Sequence, residues 1–314
     1  MKIYINKFIK FIAFIIILNL NSNTSLSLES KIVIKIDNEI ITSLDIEKET
    51  RYLLYLNPNT KTLSKSQIYN ISKNSLIREK IKKKEILKNL KKIEIEENLV
   101  NQFVNNMFKQ IGLSSKKAFI SYLKKNKLSL NYVEEKIKLE IMWNRLIYSK
   151  YKSKLKINPK EIKNQILRNK ETGSKQYFLQ EILFDIKENE NFNLKYNKLK
   201  KNISSQGFEK TALLYSISDT SKNNGNIGWV KANSLNKNIL SQIEKINIGE
   251  TTNPITIPGG FLLLKVLDTK FEKENIDIEK EIEKIIQVKT NQQLNQYSLI
   301  FYNKIKKDII INEL

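Results

Sequence analysis

Seven of the eight glycines in this 314-residue chain fall between Gly173 and Gly260. Glycine serves turns, bulges and close backbone approaches, and it weakens helix interiors. Its distribution therefore divides the chain into a long stretch suited to helices and a shorter one suited to strands and turns. From Ser64 to about Lys156 the apolar residues keep a helical period throughout. Ile68, Ile71, Leu76, Ile81, Ile86 and Leu90 form one stripe, with Lys and Glu filling the other face. Leu99, Phe103, Met107 and Ile111 recur every four residues, and Gly112 suits the helix end. Ser115 opens a segment with Phe119, Tyr122 and Leu123 on one side, and a last helix carries Ile137, Ile141, Met142, Leu146 and Ile147. These stripes read as helix-on-helix core. Pro159 fits the first turn of a further helix reaching about Asn169.

Ahead of the helices, Lys31 to Asp37 alternates and is β-branched, as a strand requires; Asp37–Asn38 supplies a turn and Glu39 to Thr42 a second strand. Ser43 is placed to cap a helix through Leu44, Ile46, Tyr52 and Leu56, which Pro58 closes. In the glycine-bearing stretch, Gln176–Phe184 is strand-like, Phe192–Ser204 and Phe208–Tyr215 are helical, and Ser218–Asn226 is a polar loop. A strand starts at Gly228–Trp229, a helix covers Asn236–Lys245, and Pro254–Ile257 and Phe261–Val266 close the segment. The order β-α-α-β-α-β-β describes a small α+β domain. After Asp268 the pattern is helical again, from Ile278 through Ile282, Ile285, Ile286, Leu294, Tyr297 and Phe301 to Ile305, and Ile309–Ile311 suits a strand. An apolar helix at the C-terminal end cannot bury itself alone. It needs the N-terminal helices, so the expected fold class is α+β: a mainly helical body, formed by the N-terminal segment and the C-terminal helix, with an inserted α+β domain.

Composition narrows the chemistry. With 40% hydrophobic and 28% charged residues the chain can pack a core. The absence of Cys and His removes disulfides, thiolate nucleophiles and imidazole general bases, so Ser-His-Asp and Cys-His catalysis are excluded. No metal or cofactor is expected. The formal charge of +22 favours acidic partners, although Lys is spread along the chain as a general bias would spread it. At the N-terminus, Lys2, Lys7 and Lys10 precede an apolar run from Phe11 to Leu20, and Ser25 and Ser27 offer small residues for cleavage. Residues 1–29 thus read as an export signal, with an uncleaved membrane anchor as the alternative.

Three places in the glycine-bearing stretch carry a family resemblance. The run from Tyr215 to Trp229 looks like a loop ending in Gly-Gly-x-Leu-Gly-Trp. Ile248 to Ile255 looks like a Gly-Glu-x-Ser-x-Pro-Val turn, and Gly260 to Val266 looks like a Gly-Tyr-His-Ile-Ile-Lys-Val strand. Together they make 175–270 resemble the parvulin-type (PpiC, rotamase) peptidyl-prolyl isomerases. Ile34 to Asp45 also resembles the opening of SurA-type folding factors, and with Ile157–Ile162 and the C-terminal helix the resemblance spans nearly all of the chain after the signal.

The resemblance implies four segments: a signal over 1–29, a helical SurA N-terminal-like chaperone domain over 30–172, a parvulin-like domain over 173–270, and a C-terminal helix over 271–314 that packs back on the body. It also implies a periplasmic chaperone for unfolded outer-membrane proteins, monomeric, without nucleic acid or stable membrane insertion once the signal is cleaved. The family's two histidines correspond to Glu181 and Leu262, and its loop Cys or Asp falls near Ser218. Twisting an X-Pro amide past a barrier of about 18–20 kcal/mol is helped by donors that favour the twisted state. Leu262 offers none, and Glu181 brings a carboxylate where the family has imidazole. A degenerate isomerase is therefore expected, with an active one, acting on proline-containing peptides, as the alternative. Leu235, Ile239 and Phe261 are the expected substrate-contacting residues, and for Leu235 and Ile239 plain core is the competing reading.

Overall fold

The computed structural model describes residues 30–89, 95–172, 174–187, 190–272 and 277–314. The export-signal reading and Leu90 lie outside them. Strands β1 (Ile32–Ile36) and β2 (Glu39–Thr42) form an antiparallel hairpin across the Asp37–Asn38 turn, where Asp37 takes the left-handed conformation at φ 47. Helix α1 (Ser43–Leu56) follows at once. Its cap is Thr42 rather than Ser43. The Thr42 hydroxyl accepts from the Asp45 N–H at 3.2 Å, and the Asp45 carboxylate accepts from the Thr42 N–H at 2.8 Å. This capping box needs an acid three residues on, which Thr42 has and Ser43 lacks.

The helical stretch resolves into α2 (Lys65–Asn89), α3 (Glu97–Gln110), α4 (Lys116–Lys125) and α5 (Leu130–Tyr151), followed by α6 (Pro159–Thr172). Ser115 and Ser129 cap α4 and α5, each accepting from an N–H three residues on at 3.2 Å. On α3 the buried side chains are Val100, Val104 and Phe108, which join Phe119, Leu123, Val133 and Ile137 in one cluster. The stripe expected in the core, Leu99 to Ile111, lies beside it. Leu99, Met107 and Ile111 are half-buried, and Phe103 is 47% exposed. Two apolar stripes sit side by side on this helix: one fills the core, and of the other Leu99, Met107 and Ile111 pack against the core's edge while Phe103 does not.

Strands β3 (Ser174–Phe184), β4 (Asn226–Lys231), β5 (Ile255–Ile257) and β6 (Gly260–Glu272) form an antiparallel sheet in the order β4-β3-β6-β5. Helices α7 (Phe192–Gln206) and α8 (Phe208–Tyr215) cover one face, where Leu199, Phe208 and Ala212 pack on Ile182, Phe184 and Leu263. The other face carries Tyr177, Leu179, Leu183, Leu262, Leu264 and Val266, with Ile243 from α9 (Lys237–Ile243) at its edge. β6 runs on to Glu272, so the helical pattern expected after Asp268 begins only at α10 (Ile278–Lys307).

α10 returns to the first helices. Phe301 stacks on Trp143 with ring centroids 5.7 Å apart, Tyr297 stacks on Tyr151 at 4.7 Å, and the Trp143 indole N–H donates to Ser298 at 2.8 Å. Ile285 meets Ile162 and Ile166 of α6. The chain ends in β7 (Ile311–Glu313), antiparallel to β1, which gives a second sheet of order β2-β1-β7. Asp37 clasps this junction: its N–H donates to the Ile310 carbonyl at 3.0 Å, and its carboxylate accepts from the Ile310 N–H at 3.1 Å.

Candidate functional site

The open face of the four-stranded sheet looks into a cavity of about 1990 Å³ whose opposite walls come from the helices. Leu179, Leu183, Leu262, Leu264, Leu235 and Ile239 line it from the sheet side, and Leu56, Phe103, Met107 and Ile141 from α1, α3 and α5. Phe103 and Met107 of the second α3 stripe thus reach the cavity wall, and Met107 also packs against the core. Phe261 points the other way: it packs between Phe184 and Phe192, with centroids 5.6 and 4.8 Å away, on the helix-covered face. Alternation along β6 dictates this, because neighbouring residues of a strand face opposite sides and Leu262 faces the cavity.

Glu181 and Ser218 come together on this wall. Glu181 sits on β3 between Leu179 and Leu183, opposite Leu264 of β6. The Ser218 hydroxyl donates to Glu181 Oε1 at 2.5 Å, and the Thr220 hydroxyl donates to the same oxygen at 2.7 Å. The main chain holds the loop equally closely, since the Glu181 N–H donates to the Gly225 carbonyl at 2.7 Å. Gly225 has φ +74, and a Cβ there would lie 2.2 Å from the Glu181 carbonyl oxygen, so only glycine fits this approach. Leu262 is buried at 5% exposure on the same face and offers no polar group. The arrangement brings a carboxylate and two hydroxyls into an apolar wall, but each hydroxyl proton is directed at the carboxylate. Leu262, beside this cluster, adds no donor of its own. Thr220, which completes this cluster, gave no sign in the sequence beyond its place in a polar loop.

The helical wall holds a second polar cluster. Glu49 of α1, fully buried, accepts from Ser75 at 2.6 Å and from the Tyr132 hydroxyl at 2.8 Å, and pairs with Lys136 at 2.7 Å. Lys136 also pairs with Glu79 of α2. Burial pulls the Lys136 ammonium down, but Glu49 and Glu79 more than offset it and hold the group above its ordinary range. Burial, reinforced by Glu49, pushes the Tyr132 phenol up, and burial raises Tyr52 to about 12. Lys136 is therefore held charged, and Tyr132 and Tyr52 neutral, near neutral pH. Lys82, also buried, reaches Glu140 at 2.7 Å and lies over the Trp143 ring. The body and the loop of the sheet segment also touch directly, where Asn57 donates to the Lys222 carbonyl at 2.7 Å. Among the described residues, no three acidic, His or Cys side chains gather as metal ligands would.

Comparison with known proteins agrees with this geometry. Residues 180–268 match the family model of the PPIC-type PPIASE domain, the segment that carries the β3–β6 sheet and the Glu181 loop. Chaperone SurA of Chromobacterium violaceum is 24% identical over 211 residues, covering 65% of this chain and 49% of its own length. Chaperone SurA of Pseudomonas putida is 26% identical over 194 residues, covering 59% of this chain and 45% of its own. The chain thus spans about half the length of the curated relatives it matches. Among solved structures, one reported with two SurA-like chaperones of Campylobacter jejuni is 18% identical and overlaps 90% of this chain and 99% of its own at a TM-score of 0.34. The chain is SurA-like and carries a PPIC-type PPIASE domain in residues 180–268.

Proposed function

We propose that this chain is a periplasmic folding factor, acting as a monomer, that holds unfolded outer-membrane proteins in the cavity between its helices and its four-stranded sheet, and that its isomerase site is degenerate. The observation that carries this reading is the cavity, walled by Leu235, Ile239 and Leu262 on one side and by Phe103 and Met107 on the other. Extended segments with regularly spaced apolar side chains gain by burying them there, and a strand held in a cavity is kept from pairing its edge with another chain. The four-segment division, with 173–270 as an insert and 271–314 completing the body, is part of this reading. The contacts of Phe301 with Trp143 and of β7 with β1 support it. Among the described residues, no helix is long and apolar enough to cross a membrane.

Degeneracy is supported by the closed Glu181–Ser218–Thr220 cluster beside Leu262. An aggregation assay tests the main claim: a denatured β-barrel protein, diluted into an excess of the full chain, is expected to stay soluble. Unchanged light scattering contradicts the holding activity. A proline-peptide assay decides the alternative, an active isomerase, since uncatalysed exchange takes tens to hundreds of seconds and acceleration in proportion to enzyme would establish catalysis.

A further inference from the structure

We propose that the open edge of β7 is a main-chain docking strand for the held polypeptide, which joins the β2-β1-β7 sheet as a further antiparallel strand along Ile311–Glu313. This rests on the reading of the cavity as a polypeptide-holding site and adds to it the contact that aligns the bound chain.

The hydrogen bonds to β1 fix which way the edge points. β7 pairs with β1 in the register Ile36–Ile311, Lys35–Asn312 and Ile34–Glu313. At the two ends of this register, the Asp37 N–H donates to the Ile310 carbonyl at 3.0 Å, and the Leu314 N–H donates to the Val33 carbonyl at 2.9 Å. Bonded and non-bonded pairs alternate along an antiparallel ladder. Ile310, Asn312 and Leu314 therefore turn their main-chain groups toward β1, whereas Ile311 and Glu313 turn theirs away from it. Among the described residues no strand lies beyond β7 in this sheet. Both outward-turned residues, Ile311 and Glu313, line the cavity. They offer two N–H groups and two carbonyls at the spacing an extended backbone matches, which is the chemistry of strand addition.

The neighbouring side chains add selectivity. Ile311 packs with Leu76 and Ile77 of α2, and Glu313 pairs with Lys73 of the same helix at 2.7 Å, so both side chains face α2. A residue docked opposite Ile311 turns its side chain to that same face, where Ile71 and Ile77 line the cavity. An apolar residue is favoured there, and every second residue of the docked strand shares its face. The edge lies in a cavity walled on its opposite sides by the helices and the sheet segment. A slender unfolded chain reaches it more readily than the edge of a folded domain, and the shortness of β7 disfavours pairing with another sheet.

Three fluorescent peptides with apolar residues at every second position test this by anisotropy with the full chain. One is unmodified, one carries N-methyl groups on two apolar residues, and one carries them on two of the intervening polar residues. In the docked strand the apolar residues share the face of Ile311 and direct their N–H groups at β7, while the polar residues direct theirs away. Methylation at the apolar residues is expected to weaken binding at least about tenfold, and methylation at the polar ones less than about twofold. E313P removes one outward N–H and leaves the bonds to β1 in place, so it should bind the unmodified peptide about fivefold more weakly than E313Q, which changes the same side chain but keeps the N–H. If both methylated peptides weaken equally, or E313P binds as E313Q does, side chains alone hold the peptide and the edge is refuted while the holding activity stands. If the unmodified peptide does not bind at all, the holding activity falls with it. If the full chain is a dimer that E313P separates without weakening the peptide, the edge serves a second copy of the chain and the occupant proposed here is wrong.

Discussion

Two polar clusters line the same cavity, and they are held in opposite ways. On the helical wall, Glu49, Glu79 and Lys136 are charges from three helices, one ammonium shared between two carboxylates, with Ser75 and Tyr132 also donating to Glu49. On the sheet wall, Glu181 is a carboxylate whose partners are two hydroxyls from a single loop. The first cluster ties together helices distant in sequence and is costly to break at Lys136, because its removal strands the buried Glu49 carboxylate. The second ties a loop to the strand beside it, and among the described residues no cation pairs with its carboxylate. The helical cluster thus joins separate helices of the body, whereas the sheet-side cluster is local to one strand and its neighbouring loop.

The largest effect should come from the helical wall. Lys136→Met leaves Glu49 and Glu79 without their cation and should cost about 3–5 kcal/mol of stability in denaturant unfolding. Replacing all three charges by apolar residues of similar volume should recover most of that loss. A loss under about 1 kcal/mol for Lys136→Met would place this cluster on the same footing as an exposed pair and end the contrast. Next, Phe301→Ala should cost about 3 kcal/mol by removing the ring stacked on Trp143, and it tests whether the C-terminal helix completes the body. A smaller effect is expected on the sheet side. The double variant E181H/L262H places imidazole donors at these two positions and, if the site is degenerate as proposed, should raise proline isomerisation at least about tenfold over the parent chain. An unchanged rate would show that the donors are not what is missing.

The smallest effect concerns the clasp between the chain ends. Lys84, together with the Ile310 N–H, holds the Asp37 carboxyl below its ordinary value of 3.8. A depressed acid stabilises the fold above its unfolded pKa and loses that contribution as pH falls through the lower folded value. The melting temperatures of the parent and Asp37→Asn should therefore differ by a constant amount from pH 7 to pH 5 and converge below pH 3.8. Convergence at higher pH would assign the difference to another group.

Much of the scaffold was legible because periodicity and glycine placement act locally. The apolar stripe through Ile137 and Ile141 and the β-branched run at Ile32–Ile36 needed no tertiary information. The buried charge cluster was hidden for the same reason: Glu49, Glu79 and Lys136 have the spacing of a solvated helix face, and only the packing of three helices buries them. On α3 the four-residue spacing of Leu99, Phe103 and Met107 outlined a stripe that the core uses only at its edge, through Leu99 and Met107. A sequence shows that two apolar stripes adjoin but not which of them meets a neighbour. The meeting of Glu181 with Ser218 was foreshadowed by the family motif, whereas the assignment of Phe261 to the substrate side missed the alternation that turns it away from Leu262.

The central claim, that the cavity is where a polypeptide is held, is tested most directly by site-specific photo-crosslinking to an unfolded β-barrel protein. A crosslinker at Met107 or Ile239, one on each wall, should capture the client efficiently, while one at Leu87, exposed on α2 and away from the cavity, should capture little. Equal capture at all three positions, or capture at Leu87 alone, would contradict the account.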